Sequence, residues 1–331
     1  MTANSAGQPL RQALWPLGLL YGAVAALRNW TFDAGLRRVH RLPVPVVSVG
    51  NLTVGGTGKT PTVAWLCALA RAQGRRPGVL ARGYGRAPGA ALNDEGAMLQ
   101  RRLPWLLQQQ EPDRVAAGRR LVAAGADFVV LDDGFQHRRL HRDLDVVCLD
   151  AALPFGNGLC LPAGDLREFR SGLRRAGLVL LTRAGGLDGD ALAARVVRVR
   201  QLAGRSDLPV YACEHGPGDV VVEPRGEVLP VAALRGRRVW LLSGIARPES
   251  FRATVAALGA EVVGEHRHRD HHRFTPAEVA AAATAARAAD ALLLTTEKDA
   301  ARLAGVDVER HVLRIELRFV GAPPTTAELR L

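Results

Sequence analysis

The sequence predicts an α/β fold organised around a doubly wound, mostly parallel sheet. Short apolar runs rich in β-branched residues, such as residues 44–50 and 128–131, alternate with longer segments of helical pattern. A glycine-rich turn follows the first of these runs, and two carboxylates follow the second. Because ligands of such sheets bind at the carboxyl ends of the strands, we expect the functional residues in these two segments.

The glycine-rich turn reads Val-Gly-Gly-Thr-Gly-Lys-Thr over residues 54–60, a pattern typical of a loop that binds nucleotide phosphates, the P-loop. Glycines let backbone N–H groups curve around a phosphate, Lys59 would reach the β- and γ-oxygens, and Thr60 would ligate magnesium. A helix predicted over residues 61–72 would point its positive end at the same anion. Thr53 stands where the usual spacing has glycine, and a plain turn between strand and helix is the alternative. The predicted nucleotide-binding residues are Gly55, Gly56, Thr57, Gly58, Lys59 and Thr60.

The chain of 331 residues is long enough for two domains. Strands and helices alternate to about residue 210, and the next stretch is broken by glycine, proline and charged residues. A second alternation begins with the apolar run at residues 238–244. We therefore predict an N-terminal apolar, membrane-associated segment (residues 1–40) and a P-loop NTPase-like α/β domain (residues 41–210). A linker (residues 211–235), a smaller α/β domain (residues 236–310) and a return strand with tail (residues 311–331) follow.

Each further element is predicted from a buried apolar run or from helical spacing. The remaining strands are predicted at residues 77–81, 145–149, 177–182, 291–295 and 311–319. The remaining helices are predicted at residues 97–107, 112–125, 188–203, 248–258 and 276–289. A loop rich in proline and glycine spans residues 154–164.

The composition favours an anionic partner and a reducing compartment. Lys and Arg total 44 against 32 Asp and Glu, a formal charge of +12 that suits nucleic acid, acidic lipid or a phosphorylated substrate. Lys59 and Lys298 are the only lysines, so part of this excess of arginine fits a GC-rich coding background. Four cysteines without a Cys-x-x-Cys pair argue against structural zinc and a disulfide framework.

The N-terminal region is apolar from residue 13 to residue 27, and four arginines follow within residues 28–41. This uncharged stretch is shorter than the ~20 residues of a spanning helix. We expect a monotopic helix in the bilayer interface, with Trp15, Tyr21 and Trp30 at headgroup depth. A helix packed on the protein's own core is the alternative. We expect no cleaved secretory leader.

The carboxylates after the run at residues 128–131 belong to the string Asp-Asp-Gly-Phe-Gln-His. Adjacent carboxylates at a strand end repel each other unless a cation lies beside them, so a metal site is the simplest explanation. A turn that caps a helix is the alternative. Arg167 and Glu168 supply a guanidinium and another carboxylate that would face the same phosphates. The predicted metal ligands are Thr60, Asp132, Asp133, Gln136, His137 and Glu168.

Histidines and acids are concentrated in residues 266–272 of the second domain. Their spacing differs from that of common zinc sites, and the P-loop region already provides for a metal. We expect one histidine to act in acid/base chemistry or to orient another group. A solvated polar loop is the alternative.

Several strings together resemble the tetraacyldisaccharide 4'-kinase family, the lipid A 4'-kinases, in the family's order and across nearly the whole chain. They lie at residues 49–61, 82–86, 131–137, 142–144, 162–168, 270–272 and 296–299. The resemblance implies ATP- and Mg²⁺-dependent phosphorylation of the 4'-hydroxyl of a lipid A disaccharide 1-phosphate, giving lipid IVA. It also implies a location at the cytoplasmic face of the bacterial inner membrane, peripheral or monotopic through the N-terminal segment. No nucleic acid and no protein partner are implied.

The resemblance also assigns roles to individual residues. Lys59 and Thr60 would hold the triphosphate and magnesium. The chemistry of phosphoryl transfer, apart from the resemblance, has Lys59, Arg167 and magnesium neutralise charge in the transition state. The family's catalytic carboxylate matches Asp94, although Asn93 and Gly96 replace the family's glycine and proline beside it. This aspartate would pair with His271, chosen over His272, when two domains close. The resemblance assigns no role to the string at residues 296–299, for which contact with the nucleotide base and capping of a helix are the two alternatives.

Two other classes of P-loop protein remain as rivals. A switch or partition-type ATPase would use its charge to hold DNA or membrane. Its loop carries a lysine where this chain has Val54. A kinase for a soluble metabolite would have no use for the uncharged stretch at residues 13–27.

Overall fold

The computed structural model describes residues 11–303 and 305–331, which form two compact units. Unit 1 comprises residues 11–84, 105–215 and 317–331, and unit 2 comprises residues 85–104 and 216–316 apart from residue 304. The helices are α1 (Trp15–Asp33), α2 (Lys59–Ala72), α3 (Asp94–Arg102), α4 (Arg114–Ala123), α5 (Gly189–Ala203), α6 (Pro248–Ala257), α7 (Pro276–Ala288) and α8 (Glu297–Arg302). The strands are β1 (Val46–Gly50), β2 (Pro77–Ala81), β3 (Leu107–Gln110), β4 (Phe128–Asp132), β5 (Leu144–Asp150), β6 (Leu178–Thr182), β7 (Val210–Glu223), β8 (Glu227–Pro230), β9 (Arg238–Ser243), β10 (Glu261–Arg267), β11 (Leu292–Thr296) and β12 (Arg310–Val320).

Unit 1 is built on a parallel sheet with the strand order β7-β6-β5-β1-β4-β2-β3. The central strand β1 pairs with β4 on one side and with β5 on the other, and all of its residues are buried. Burial on both faces explains why β1, β4 and β6 are continuous apolar runs in the sequence. The order reverses beside β1, so the loop after β1 lies at a topological switch point of the sheet.

Helix α1 packs on unit 1 by its glycines and exposes most of its apolar side chains. A Cβ added to Gly18 would lie 2.7 Å from the Cys160 carbonyl oxygen, and one added to Gly22 would lie 2.5 Å from the Phe169 ring. The exposed apolar residues of this region are Leu14, Trp15, Leu17, Leu19, Leu20, Tyr21, Val24, Leu27 and Trp30. Within the described part of the chain, no helix combines the length and the hydropathy that crossing a bilayer requires.

Unit 2 has parallel strands in the order β10-β9-β11-β12, and β8 pairs antiparallel with the later part of β7. Helix α3 belongs to this unit, where it packs against α8. Arg102 fixes its end by donating to the Ile315 carbonyl at 2.6 Å and by pairing with Glu297 at 3.3 Å.

The compact units differ from the predicted domain boundaries. Residues 85–104 were expected in the P-loop domain, yet they join unit 2 through α3. The predicted linker at residues 211–235 is largely β7 and β8, whose glycines, prolines and charges break the usual apolar run of a strand. Strand β3 was not predicted, because its three glutamines carry no strand preference, and the helix predicted over residues 97–107 ends at Arg102. Strand β10 was not predicted.

Candidate functional site

The P-loop connects the buried strand β1 to α2. Gly55 and Gly58 adopt left-handed conformations with φ of 102° and 79°, and α2 begins at Lys59. Thr57 is buried, and its hydroxyl accepts a 3.0 Å hydrogen bond from Asn51 Nδ2. Its carbonyl accepts another, also 3.0 Å, from the Thr182 hydroxyl at the end of β6. These two bonds fix Thr57 to the residue after β1 and to the end of β6.

Two residues that the sequence analysis missed also hold this loop. Arg183 donates to the Gly56 carbonyl and pairs with Asp150. The His215 ring covers Gly58 so closely that an added Cβ would lie 1.9 Å from its Cε1 atom. Burial, followed by the charge of Arg183, lowers the pKa of His215 to about 4. Only glycine fits at position 58, and the histidine against it is neutral at pH 7.

Lys59, Asp133 and Arg167 form an ion cluster beside the P-loop. Lys59 Nζ lies 3.5 Å from Asp133 Oδ1, and Arg167 Nη1 donates to both carboxylate oxygens at 2.8 and 2.7 Å. Burial alone would raise the pKa of Asp133, but Lys59 and Arg167 outweigh it, so this pKa lies below its usual value. The cluster has two cations for one carboxylate and keeps a net positive charge for an incoming phosphate.

Two of the predicted metal ligands, Gln136 and Glu168, belong to a hydrogen-bond network with Arg175 and with Asn29 of α1. Glu168 is buried and pairs with Arg175 at 2.9 Å, while Gln136 Nε2 donates to Glu168 at 3.0 Å. Asn29 of α1 also donates to Glu168, at 2.8 Å. These contacts join Gln136 and Glu168 to a network that anchors α1. The role predicted for them as metal ligands stays a prediction.

His137, which follows Gln136 in the sequence, is partly buried. Burial, followed by the charges of Arg114 and Arg142, lowers its pKa to about 4. Among residues 11–303 and 305–331, the one group of three His, Cys, Asp or Glu residues placed to share an ion is His268, His272 and Glu278. The acids and the histidine at residues 132–168 therefore do not form such a group. Asp132, buried at the end of β4, and Thr60, at the start of α2, remain as oxygen donors near the loop.

Asp94 and His271 meet in unit 2. Asn93 caps α3 by accepting a 2.9 Å hydrogen bond from the Gly96 amide, which places Asp94 at the first helical position. Asp94 Oδ2 lies 3.3 Å from His271 Nδ1. The histidine has a left-handed φ of 60°. Both partners belong to one unit, whereas the sequence analysis placed them in two domains that close.

Arg302 connects the two members of this pair. Its Nε donates to Asp94 at 2.8 Å, its Nη2 lies 3.1 Å from His271 Nδ1, and its side chain is only 3% exposed. Asp299, fully buried, holds the guanidinium at 3.0 Å. Burial alone would raise the pKa of Asp94, but Arg302 and then His271 bring it below its usual value. We call Asp94, His271 and Arg302 the carboxylate cluster of unit 2.

The neighbouring histidine has a different role. His272 Nε2 lies 3.1 Å from both oxygens of Glu278, and Glu278 forms a capping box with Thr275 at the start of α7. The His268 ring stacks on the His272 ring with centroids 4.3 Å apart. His272 is thus committed to a helix cap, and His271 is the histidine that faces Asp94.

The string at residues 296–299 also has a structural explanation. Thr296 caps α8 by accepting a 3.1 Å hydrogen bond from the Asp299 amide. Asp299 holds Arg302 and accepts from the Gly244 amide at 3.1 Å. Burial raises the pKa of both Glu297 and Asp299, against the arginines that pair with them. Of the two predicted roles for this string, the structure supports the helix cap.

Comparisons with known proteins identify the family of this chain. The family model of tetraacyldisaccharide-1-P 4'-kinase matches residues 10–330. A tetraacyldisaccharide 4'-kinase of Anaeromyxobacter sp. (strain Fw109-5) is 50% identical over 320 residues, which are 91% of this chain and 85% of the relative. That of Syntrophus aciditrophicus is 39% identical over 338 residues, covering 94% and 90%.

A solved structure shares the fold as well as the sequence pattern. LpxK from Aquifex aeolicus, crystallised in complex with ATP, superposes with a TM-score of 0.77 at 28% identity, covering 97% of each chain. The predicted fold class, a P-loop NTPase-like α/β fold, is confirmed. The chain therefore belongs to the tetraacyldisaccharide 4'-kinase family and is an ATP-dependent kinase of lipid A biosynthesis.

Proposed function

We propose that this kinase transfers the γ-phosphoryl group of Mg²⁺-bound ATP to the 4'-hydroxyl of a tetraacyldisaccharide 1-phosphate, giving lipid IVA. The observation that carries the proposal is the net positive cluster of Lys59, Asp133 and Arg167 beside the P-loop. Charge in this transfer is spread over the phosphoryl oxygens, so fixed cations lower the barrier. The P-loop amides would orient the triphosphate.

The residues near the P-loop fit a magnesium ion. Mg²⁺ prefers oxygen ligands, and Thr60 and Asp132 offer a hydroxyl and a carboxylate from neighbouring elements of unit 1. We assign these two residues to the metal, with Asp133 reserved for Lys59 and Arg167. When bound, the ion would neutralise part of the phosphate charge.

We assign proton transfer from the acceptor hydroxyl to the carboxylate cluster of unit 2. Asp94 is ionised because Arg302 and His271 lower its pKa, and it is 38% exposed, so its second oxygen can reach a substrate. A base is needed only late in phosphoryl transfer, so a low pKa is compatible with the role. His271 would orient Asp94.

We also propose that the kinase works as a peripheral or monotopic protein at the cytoplasmic face of the inner membrane. The exposed apolar side chains of α1 support this, since a soluble surface rarely exposes so many in one helix. Trp15, Tyr21 and Trp30 are all exposed, as residues at headgroup depth would be. The acyl chains of the acceptor could then stay in the bilayer during the reaction. Residues 1–10 of the predicted apolar segment lie outside the described residues.

The decisive test measures transfer of labelled γ-phosphate from ATP to detergent-dispersed tetraacyldisaccharide 1-phosphate. We expect labelled lipid with wild type and almost none with Lys59→Ala. ATP hydrolysis without labelled lipid would contradict the proposed acceptor and favour a switch-type ATPase. Retained transfer by Lys59→Ala would remove the P-loop from the mechanism. Omitting Mg²⁺ tests the metal, and full transfer in its absence would contradict the assignment of Thr60 and Asp132.

A further inference from the structure

The loop after β5 and helix α5 enclose a pocket of about 200 Å³ within unit 1. We call it the arginine pocket. Its floor includes Val199, and the loop passes through Gly156 and Gly158, both left-handed with φ of 55° and 80°. Three arginines line it, namely Arg170, Arg195 and Arg198. The proposed phosphoryl transfer gives no role to this part of the loop at residues 154–164, which is distinct from the P-loop.

The arginine pocket has positive charge that the described protein does not neutralise. Within residues 11–303 and 305–331, none of the ion pairs includes Arg170, Arg195 or Arg198. Arg195 makes one hydrogen bond, 3.1 Å to the Ala152 carbonyl. A carboxylate does approach the loop, because a Cβ added to Gly156 would lie 3.4 Å from Asp165 Oδ2. Asp165, however, already pairs with Arg11 at 3.1 Å.

The same contacts connect the pocket to the N-terminal end of α1. Arg11, just before α1, donates to the Gly164 carbonyl at 2.9 Å and pairs with Asp165, which borders the pocket loop. Leu153, which lines the pocket, is 62% exposed. Among the described residues, the pocket thus combines three guanidinium groups that form no ion pair with an exposed leucine, close to the helix proposed to lie on the bilayer.

We propose that the arginine pocket binds the phosphate of an anionic phospholipid headgroup at the membrane surface. Guanidinium groups bind phosphate oxygens in paired hydrogen bonds, and Leu153 would enter the acyl boundary beside the headgroup. This inference rests on the proposed attachment through α1. It adds a second contact point, which would fix how the kinase is oriented on the bilayer.

The test is flotation with vesicles of phosphatidylcholine, with and without phosphatidylglycerol. We expect wild type to bind the anionic vesicles about tenfold more tightly, since each arginine near an anionic surface adds to binding. The variant Arg170→Gln/Arg195→Gln/Arg198→Gln should lose most of that gain and bind neutral vesicles like wild type. The matched control is Arg119→Gln/Arg238→Gln/Arg287→Gln, which removes the same charge at exposed arginines elsewhere.

The outcomes separate this inference from the attachment itself. If both triple variants lose the same amount of binding to anionic vesicles, the effect comes from the overall positive charge. That result would contradict the pocket as a phosphate-binding site. Equal binding of wild type to both vesicle types would overturn it and leave attachment through α1 intact, while no binding to either would contradict both. The kinase assay in detergent tests the other source of phosphate. A raised KM for the lipid substrate in the pocket variant would assign the pocket to the substrate, whereas we expect KM and the thermal unfolding midpoint to be unchanged.

Discussion

At the scale of single residues, one nitrogen of His271 faces both a donor and an acceptor. Arg302 Nη2 lies 3.1 Å from Nδ1, and Asp94 Oδ2 lies 3.3 Å from it. A guanidinium can only donate, so a neutral His271 accepts from Arg302 and carries its proton on Nε2. A protonated His271 donates from Nδ1 to Asp94 instead. The contacts of this histidine therefore depend on its protonation state.

If Asp94 is the base, Asp94→Asn removes proton acceptance and nearly conserves the side-chain volume. We expect turnover to fall by about 10²-fold or more, with little change in ATP affinity, as loss of a general base predicts. The measurement is steady-state kinetics together with nucleotide binding. Glu95→Gln, at the exposed neighbouring position, is the control and should retain turnover. Unchanged turnover in Asp94→Asn would exclude Asp94 as the base.

Arg302 is a positioning residue whose loss should change the pH dependence. It is the largest influence that lowers the pKa of Asp94 against burial. In Arg302→Gln this pKa rises, so Asp94 becomes protonated at a higher pH and the acidic limb of the kcat/KM profile moves upward. The variant should lose more activity at acidic than at basic pH.

The control for this prediction is Arg287→Gln, at an exposed position of α7. A thermal unfolding midpoint measured on each variant separates lost positioning from lost folding. A uniform loss of activity at every pH would mean that Arg302 only supports the fold.

Sequence reasoning found Asp94 and His271 but missed Arg302 and His215. The first two belong to strings that resemble a known family, whereas Arg302 is one arginine among many in a chain with 44 basic residues. Arg302 acquires its role only because α8 packs against α3, which lies about 200 residues earlier in the chain. His215 lies inside β7, in a stretch whose composition predicted a linker.

At the scale of elements, α1 has two different sides. Gly18 and Gly22 let the helix approach residues 160–169, and the leucines and aromatic residues on the rest of its surface stay exposed. The uncharged stretch predicted an apolar helix but not how its surface is divided, because that depends on which residues lie beneath it. The strands differ from one another in how well the sequence predicts them. Buried runs such as β1 and β4 are visible in sequence, while β3 and β7 are not.

The exposed side of α1 gives a prediction for this element. Leu20→Ser/Leu27→Ser should weaken vesicle binding by about 10²-fold or more, because burying each leucine side chain in the interface contributes roughly 2 kcal/mol. Flotation measures this, and activity toward detergent-dispersed substrate should fall less. Val228→Ser/Val320→Ser, which removes comparably exposed apolar residues outside α1, is the control. Equal binding by the two double variants would contradict attachment through α1.

At the scale of the whole molecule, the net positive charge and two partly buried histidines together destabilise the folded state at acidic pH. The chain already has a formal charge of +12, so each added proton increases repulsion. His137 and His215 are partly buried within unit 1, and their pKa values are lowered to about 4, first by desolvation and then by nearby arginines. In the unfolded chain, histidines take up protons near pH 6.5. The unfolded state therefore binds more protons than the folded state between about pH 6.5 and pH 4.

This difference predicts that stability falls as the pH is lowered through that window. At pH 5 each of these two histidines should reduce the free energy of unfolding by about 1 kcal/mol, allowing for partial solvent screening. Below this window Asp94 and Asp133 add to the loss, because their pKa values are lowered in the folded state. Urea unfolding at pH 7 and pH 5 measures the effect. His215→Gln cannot be protonated at this position and should lose about 1 kcal/mol less than wild type between these pH values. An identical loss in His215→Gln would mean that this histidine does not set the acid sensitivity.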